Sequence, residues 1–131
     1  MAVVPLLRDG EAGADALAVF EDIRAKRQTD DVNNFWRALA HDPATLKATW
    51  ERVQAVMAPG ALDPLVKELI YVAVSTANGC DYCVHSHTAA AKAKGMTSQM
   101  HGELLAVIAL ASQTNALATA LSVPVDERFK V

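Results

Sequence analysis

The sequence predicts an all-α fold, a compact bundle of about six helices in a single domain that spans residues 1–131. Three observations predict it. Alternating β-branched runs and hairpin turns between apolar segments do not occur. Residues that start and end helices recur along the chain instead. The 131 residues are 52% apolar and 21% charged, which is enough for a hydrophobic core and gives no sign of global disorder.

The first two predicted helices lie in the N-terminal part of the chain. The first covers Ala12–Arg27, because apolar residues recur there at helical spacing. These residues are Ala16, Val19, Phe20 and Ile23. The polar stretch Gln28–Val32 is predicted to be a loop. A short second helix follows over Asn33–His41, with Asn33 or Asn34 as its N-cap.

The third helix has a clear start and a clear end. Asp42 is expected to cap it, and Pro43 occupies its first position, where the missing N–H costs nothing. Pro59-Gly60 ends it. Its apolar face consists of Leu46, Trp50, Val53 and Met57. We expect the two tryptophans of the chain, Trp36 and Trp50, to be packing residues.

The fourth helix repeats the same arrangement of start and stop. Asp63 caps it, Pro64 opens it, and Asn78-Gly79 ends it. Between Leu69 and Ala77 the segment is apolar on nearly every side. This pattern predicts a buried central helix.

Two further helical segments complete the prediction. One runs from about Cys80 to Lys94, so a C-x-x-C motif opens it. The last is capped by Thr97 or Ser98 and extends to Leu121, with an interruption near residues 112–115. The fourth and last helices are apolar over wide arcs, and a chain of this size cannot cover all of them. We therefore expect a homo-oligomer.

Charge and hydropathy argue against two classes of binding partner, nucleic acids and membranes. The net charge of −3 and the lack of a basic stripe argue against nucleic acid and an anionic membrane surface. The longest apolar runs, Leu69–Ala77 and Leu104–Ala111, are shorter than the ~20 residues of a membrane helix. The N-terminus has no basic segment of a signal peptide. We therefore expect no membrane association and a cytoplasmic protein, in which a C-x-x-C pair is catalytic or metal-binding.

The stretch NGCDYCVHSHTAAAKAKGM holds the only two cysteines of the chain and two of its four histidines. Helical geometry places Cys80, Cys83 and His87 on one face, whereas His85 points elsewhere. Unpaired N–H groups at a helix start stabilise a thiolate, so one cysteine is expected to have a lowered pKa. His87 lies one turn beyond Cys83 as a proton acceptor. The arrangement favours a dithiol/disulfide couple with its own base.

Other interpretations of these residues are weaker. Zinc would find three ligands in Cys80, Cys83 and His87, but a structural site normally has four, so no metal is predicted. Inert core cysteines do not suit a polar helix start. Glu68, twelve residues before Cys80, lies on the helix that must pack against the cysteine helix. A partly desolvated carboxylate there can orient His87 or accept its proton.

The segment KELIYVAVSTANGCDYCVHSH resembles the signature of the carboxymuconolactone decarboxylase/AhpD-like family. That signature is a glutamate, eleven residues, Cys-x-x-Cys, three residues and a histidine. Glu68, Cys80, Cys83 and His87 match it, and the resemblance covers about residues 15–122. It implies an all-helical fold that assembles into trimers or hexamers.

The resemblance also implies an activity, that of a thiol-dependent hydroperoxidase without a cofactor. Cys83 would attack the peroxide, Cys80 would resolve the sulfenic acid as a disulfide, and Glu68 and His87 would relay the proton. A dithiol reductant, such as a lipoyl-bearing protein, would then reduce the disulfide. Helix position alone favours Cys80 as the nucleophile. Tyr82 stands where the best characterised peroxidases of the family carry a histidine.

Two other functions remain open at this point. One is a redox-sensing or oligomeric thiol-disulfide protein, whose disulfide switches an interface without peroxidase turnover. The other is lactone decarboxylation, which is also found under the family name. The branch with that activity works without a cysteine pair, so Cys80 and Cys83 argue against it.

Overall fold

A computed structural model describes residues 1–131 and shows an all-helical protein, which confirms the predicted fold class. It contains six α-helices and one short 3₁₀-helix. They are α1 (Ala14–Arg27), α2 (Asn34–Leu39), α3 (Pro43–Met57), α4 (Pro64–Ala77), α5 (Asp81–Ala93), α6 (Ser98–Ala120) and the 3₁₀-helix Glu127–Phe129. The chain forms two compact units, Met1–Ala58 and Pro59–Val131. The single domain expected from chain length stays a prediction.

The first unit has a well-defined hydrophobic core. It is built from α1 and α3 with the short α2, and the apolar residues predicted for the face of α1 are all buried. Trp36 and Trp50 are buried as predicted and pack edge to face, with ring centroids 5.4 Å apart. The indole N–H of Trp50 donates to the Asp22 carboxylate at 2.7 Å, so the one polar group of this buried side chain has a hydrogen-bond partner.

Side-chain caps start three of the helices at the residues that the sequence indicates. Asp42 accepts a hydrogen bond from the Thr45 N–H, and Asp63 accepts one from the Leu65 N–H. Thr97 accepts one from the Met100 N–H at the start of α6. Each cap satisfies an N–H that the helix itself cannot pair, which is why these starts are well defined.

The second unit is formed by α4, α5 and α6. Helix α4 packs mainly against α5 and more lightly against α6. The prediction that α4 is a buried central helix is wrong for the single chain, because only Glu68, Val72 and Ser75 are buried. Three apolar residues one turn apart, Val66, Ile70 and Val74, are exposed instead. The two neighbouring helices cover one side of α4 and leave this other side open.

Helix α6 is continuous over 23 residues, so the predicted interruption near residues 112–115 is wrong. Two of the polar side chains there form hydrogen bonds within the helix: Ser112 donates to the Ile108 carbonyl and Thr114 to the Ala111 carbonyl. Helix α6 is long and apolar enough to cross a membrane, with a mean hydropathy of 1.2 and no buried residue. Length and composition do not assign it to a membrane, because a helix between subunits has the same properties.

Candidate active site

A short turn between α4 and α5 places the cysteine pair. Asn78 ends α4, and Gly79 adopts a φ of 68°, in the left-handed region that favours glycine. The Cys80 N–H then donates to the Ser75 carbonyl at 2.9 Å. Because the turn is so short, α5 folds back along α4, and side chains of the two helices meet.

Both cysteines are free thiols and partly buried. Cys80 is the N-cap of α5, and its Sγ accepts a hydrogen bond from the Cys83 N–H at 3.4 Å. A backbone N–H aimed at sulfur, together with the positive end of the helix dipole, stabilises a thiolate. Cys80 therefore lies at the start of α5 with a backbone N–H directed at its sulfur.

The Cys83 thiol is a weak acid in this structure. Burial raises its pKa, and the hydrogen bond and negative charge of Cys80 raise it further, to about 11. The lowered pKa expected for one of the two cysteines therefore does not occur at Cys83. The cause is desolvation combined with the cost of a second negative charge beside the first. Cys83 needs a base to lose its proton at neutral pH.

Glu68 and His87 lie in direct contact, as their spacing predicts. His87 Nδ1 is 2.6 Å from Glu68 Oε2, and only 4% of the Glu68 surface is exposed. Burial acts to raise the pKa of Glu68, but hydrogen bonds from His87 and Lys94 outweigh it and hold the pKa below its ordinary value. An ionised carboxylate can only accept, so the proton is on Nδ1. In the neutral ring, Nε2 then has a free lone pair.

Lys94 is a member of this site that the sequence analysis missed. Its Nζ lies 2.8 Å from Glu68 Oε1, so Glu68 is bonded through one oxygen to His87 and through the other to Lys94. A second cation stabilises the buried carboxylate and restrains its rotation. A sequence signal for Lys94 exists, because it follows His87 by seven residues, or about two helical turns.

Tyr71 was also missed, although it lies one turn after Glu68 on the same face of α4. Its ring is stacked on the imidazole of His87, with centroids 3.5 Å apart and planes inclined by 16°. Burial raises the pKa of Tyr71, and the charges of Cys83, Cys80 and Glu68 raise it further. Tyr71 therefore contacts His87 and lies near enough to both cysteines and Glu68 to feel their charges.

The remaining candidates stand apart from this arrangement. Tyr82, between the cysteines, is 43% exposed, and His85 is exposed as its helical position predicted. No group of three or more His, Cys, Asp or Glu side chains is arranged to hold a metal ion.

Comparison with known proteins identifies the family. A profile of the carboxymuconolactone decarboxylase family matches residues 43–126, which include the four predicted site residues. The chain belongs to this family. Its resemblance to the crystal structure of the alkylhydroperoxidase AhpD core from Rhodospirillum rubrum is extensive. That comparison covers 100% of this chain and 98% of the other, with 63% sequence identity and a TM-score of 0.96.

Two curated proteins are similar to parts of the chain. An uncharacterised protein of Cupriavidus necator is 35% identical over 83 residues, which cover 63% of this chain and 74% of that protein. The alkyl hydroperoxide reductase AhpD of Solibacter usitatus is 39% identical over 75 residues, or 57% of this chain. The matched segment spans only 40% of that second relative's length. The likeness is thus to the AhpD-like part of the family.

Proposed function

We propose that the protein is a thiol-dependent hydroperoxidase that uses the Cys80–Cys83 dithiol as its two-electron reductant. The observation that carries the proposal is the 2.6 Å hydrogen bond between the buried, ionised Glu68 on α4 and His87, which lies one turn after Cys83 on α5. A thiol that holds its proton as firmly as Cys83 does requires such a base. The names of the AhpD-like relatives support the same reaction class.

The proposed reaction has two steps, reduction of the hydroperoxide by Cys83 and formation of the disulfide with Cys80. His87 takes the Cys83 proton through Nε2, and the thiolate attacks the terminal oxygen of the hydroperoxide. An S–O bond forms, the O–O bond breaks, and the departing alkoxide takes the proton from His87 to give an alcohol. Cys80 then attacks the sulfenic sulfur, which forms the disulfide and releases water. Glu68 stabilises the transient imidazolium and keeps its tautomer fixed.

The cycle closes with an external dithiol. Two thiols delivered together reduce the Cys80–Cys83 disulfide by exchange through a mixed disulfide. A lipoyl group on a partner protein has this chemistry, so we propose a lipoyl-bearing reductant. A dithiol that must return to the free state in each cycle suits a reducing compartment, and we propose the cytoplasm.

Turnover tests the function. With excess hydroperoxide and dihydrolipoamide, we expect the protein to consume many equivalents of peroxide per chain, measured as peroxide loss over time. Without the dithiol, consumption should stop at one equivalent per Cys80–Cys83 pair. A protein that stops after one equivalent even with the dithiol present is a redox switch, and that result would contradict the proposal.

The assembly is a second part of the proposal. Exposed apolar residues follow one side of α4 and much of α6, and we propose that they are buried between copies of the chain in a trimer or hexamer. Sedimentation at micromolar concentration without detergent should give one oligomeric species. Val74→Lys, in the middle of the α4 side, should shift it towards monomer. A wild-type chain that sediments as a stable monomer would contradict this prediction.

A further inference from the structure

The ring of Tyr71 has no role in the two proposed steps, although it covers one whole face of the proposed base. The centroids of Tyr71 and His87 are 3.5 Å apart, and the two planes are nearly parallel. Both side chains are only partly exposed, His87 at 21% and Tyr71 at 36%. Two aromatic rings in this arrangement attract each other beyond the area that they bury.

The hydrogen bond to Glu68 fixes the position of Nδ1 but not the plane of the imidazole. With Nδ1 held, the ring can still rotate about the line from Nδ1 to the Glu68 oxygen, through coupled changes of the two His87 side-chain torsions, and this rotation moves Nε2. A flat ring stacked on the imidazole opposes this rotation, because it would break the parallel contact. Glu68 and Tyr71 lie one turn apart on α4, so one rigid helix presents both restraints to His87.

We propose that Tyr71 is a positioning residue for His87, and that its ring fixes the imidazole plane and so limits the orientations in which Nε2 meets the Cys83 thiol. This inference rests on the proposed function and adds a residue to its site. The ring provides the restraint, so phenylalanine should replace tyrosine. The hydroxyl is not required for the base to be placed.

Two substitutions separate the ring from the hydroxyl. Tyr71→Phe keeps the stacked ring, and Tyr71→Leu removes it at a position that is exposed enough to accept leucine. The rate of disulfide formation with one equivalent of hydroperoxide should fall on the order of 10-fold in Tyr71→Leu, because a base that samples other orientations is less often in place. Tyr71→Phe should stay within about 2-fold of the wild type. Thermal unfolding and sedimentation of both variants show whether fold and assembly are retained.

The proton NMR chemical shifts of the His87 imidazole report directly on the stacked ring, and a general loss of stability would not reproduce their change. A ring stacked at this distance shifts the carbon-bound imidazole protons of His87 upfield, and His87→Ala identifies these signals among the four histidines. The upfield shift should persist in Tyr71→Phe and disappear in Tyr71→Leu. Equal slowing of both variants would show that the hydroxyl acts, and would overturn the proposal. A folded Tyr71→Leu with wild-type rate would overturn it as well.

Failure of the peroxidase reaction is distinguishable from failure of this inference. If the wild type does not react with hydroperoxide, alkylation of Cys83 by iodoacetamide in a Cys80→Ser background still reports how well His87 draws the proton. Tyr71→Leu should slow that alkylation and Tyr71→Phe should not. Identical alkylation rates in all three proteins would overturn the role of Tyr71 whatever the function.

Discussion

Cys83→Ser will abolish the reaction with hydroperoxide, whereas Cys80→Ser will react once and stop. The proposed nucleophile is Cys83, which lies one turn before the base His87 on α5. Without its sulfur no S–O bond can form at that position. Without Cys80 the first step still occurs, but no thiol is present to resolve the sulfenic acid, which persists on Cys83.

Mass spectrometry with a dimedone-type probe checks this prediction. A single adduct should appear on Cys83 in Cys80→Ser, and none in Cys83→Ser. The test is demanding because Cys80 is the residue at the helix start, where the Cys83 N–H donates to its sulfur and where helix position alone would place the nucleophile. An adduct on Cys80 in the Cys83→Ser protein would reverse the two roles. No adduct in either variant, with a wild type inert to peroxide, would remove the peroxidase and leave the redox switch.

The helix starts were the most predictable part of the fold. Asp42 and Asp63 each precede a proline, and the structure shows both aspartates as N-caps of helices that begin at that proline. Capping is local: it depends on a side chain and an N–H two or three residues away, so sequence alone reports it. The interruption predicted in α6 was wrong because polar residues inside a helix also have local hydrogen-bond partners. Serine and threonine inside a helix can bond to its own carbonyls, and Ser112 does so.

The burial of α4 could not be predicted from its composition. An apolar segment indicates that a surface avoids water, but not which molecule covers it. In the single chain α5 and α6 cover one side of α4, and Val66, Ile70 and Val74 on the other side remain exposed. A helix apolar on all sides is consistent with burial in one core or between subunits, and the sequence pattern does not distinguish them.

The candidate site was predictable where spacing determines geometry. Cys83 and His87 lie one turn apart on α5, so periodicity places them on one side of it, and Cys80 caps the start of the same helix. Contact between Glu68 and His87 crosses from α4 to α5, and it could be expected because the short turn forces the two helices together. Lys94 and Tyr71 have the right periodicity too. The proposed reaction does not require a lysine or a tyrosine at this site. From sequence alone, Lys94 is therefore interpreted as a surface residue and Tyr71 as a packing residue.

His87→Ala will slow the formation of the Cys83 sulfenic acid by between ~10²- and 10⁴-fold, the usual contribution of a positioned base. The effect is large here because burial and the charge of Cys80 raise the pKa of Cys83 to about 11, so little thiolate exists without help. Stopped-flow measurement of one oxidation per chain gives the rate. His85→Ala is the matched control, because His85 lies on the same helix and is exposed; its rate should stay within about 2-fold of the wild type.

Glu68→Gln acts on the same step through His87, and we expect a loss on the order of 10²-fold, because an amide neither stabilises the imidazolium nor selects one tautomer. Oxidation by diamide, which needs only the two sulfurs, should still form the disulfide in His87→Ala and in Glu68→Gln.

The pKa of Glu68 is lower in the folded state than in the unfolded state. Its contacts therefore stabilise the fold above pH 4.5, and this stabilisation is lost as the pH falls below that value. Glu68→Gln should lack this part of the acid destabilisation in thermal unfolding. Wild-type oxidation rates in both His87→Ala and Glu68→Gln would exclude the pair as the base, even if the cysteines prove to be redox-active.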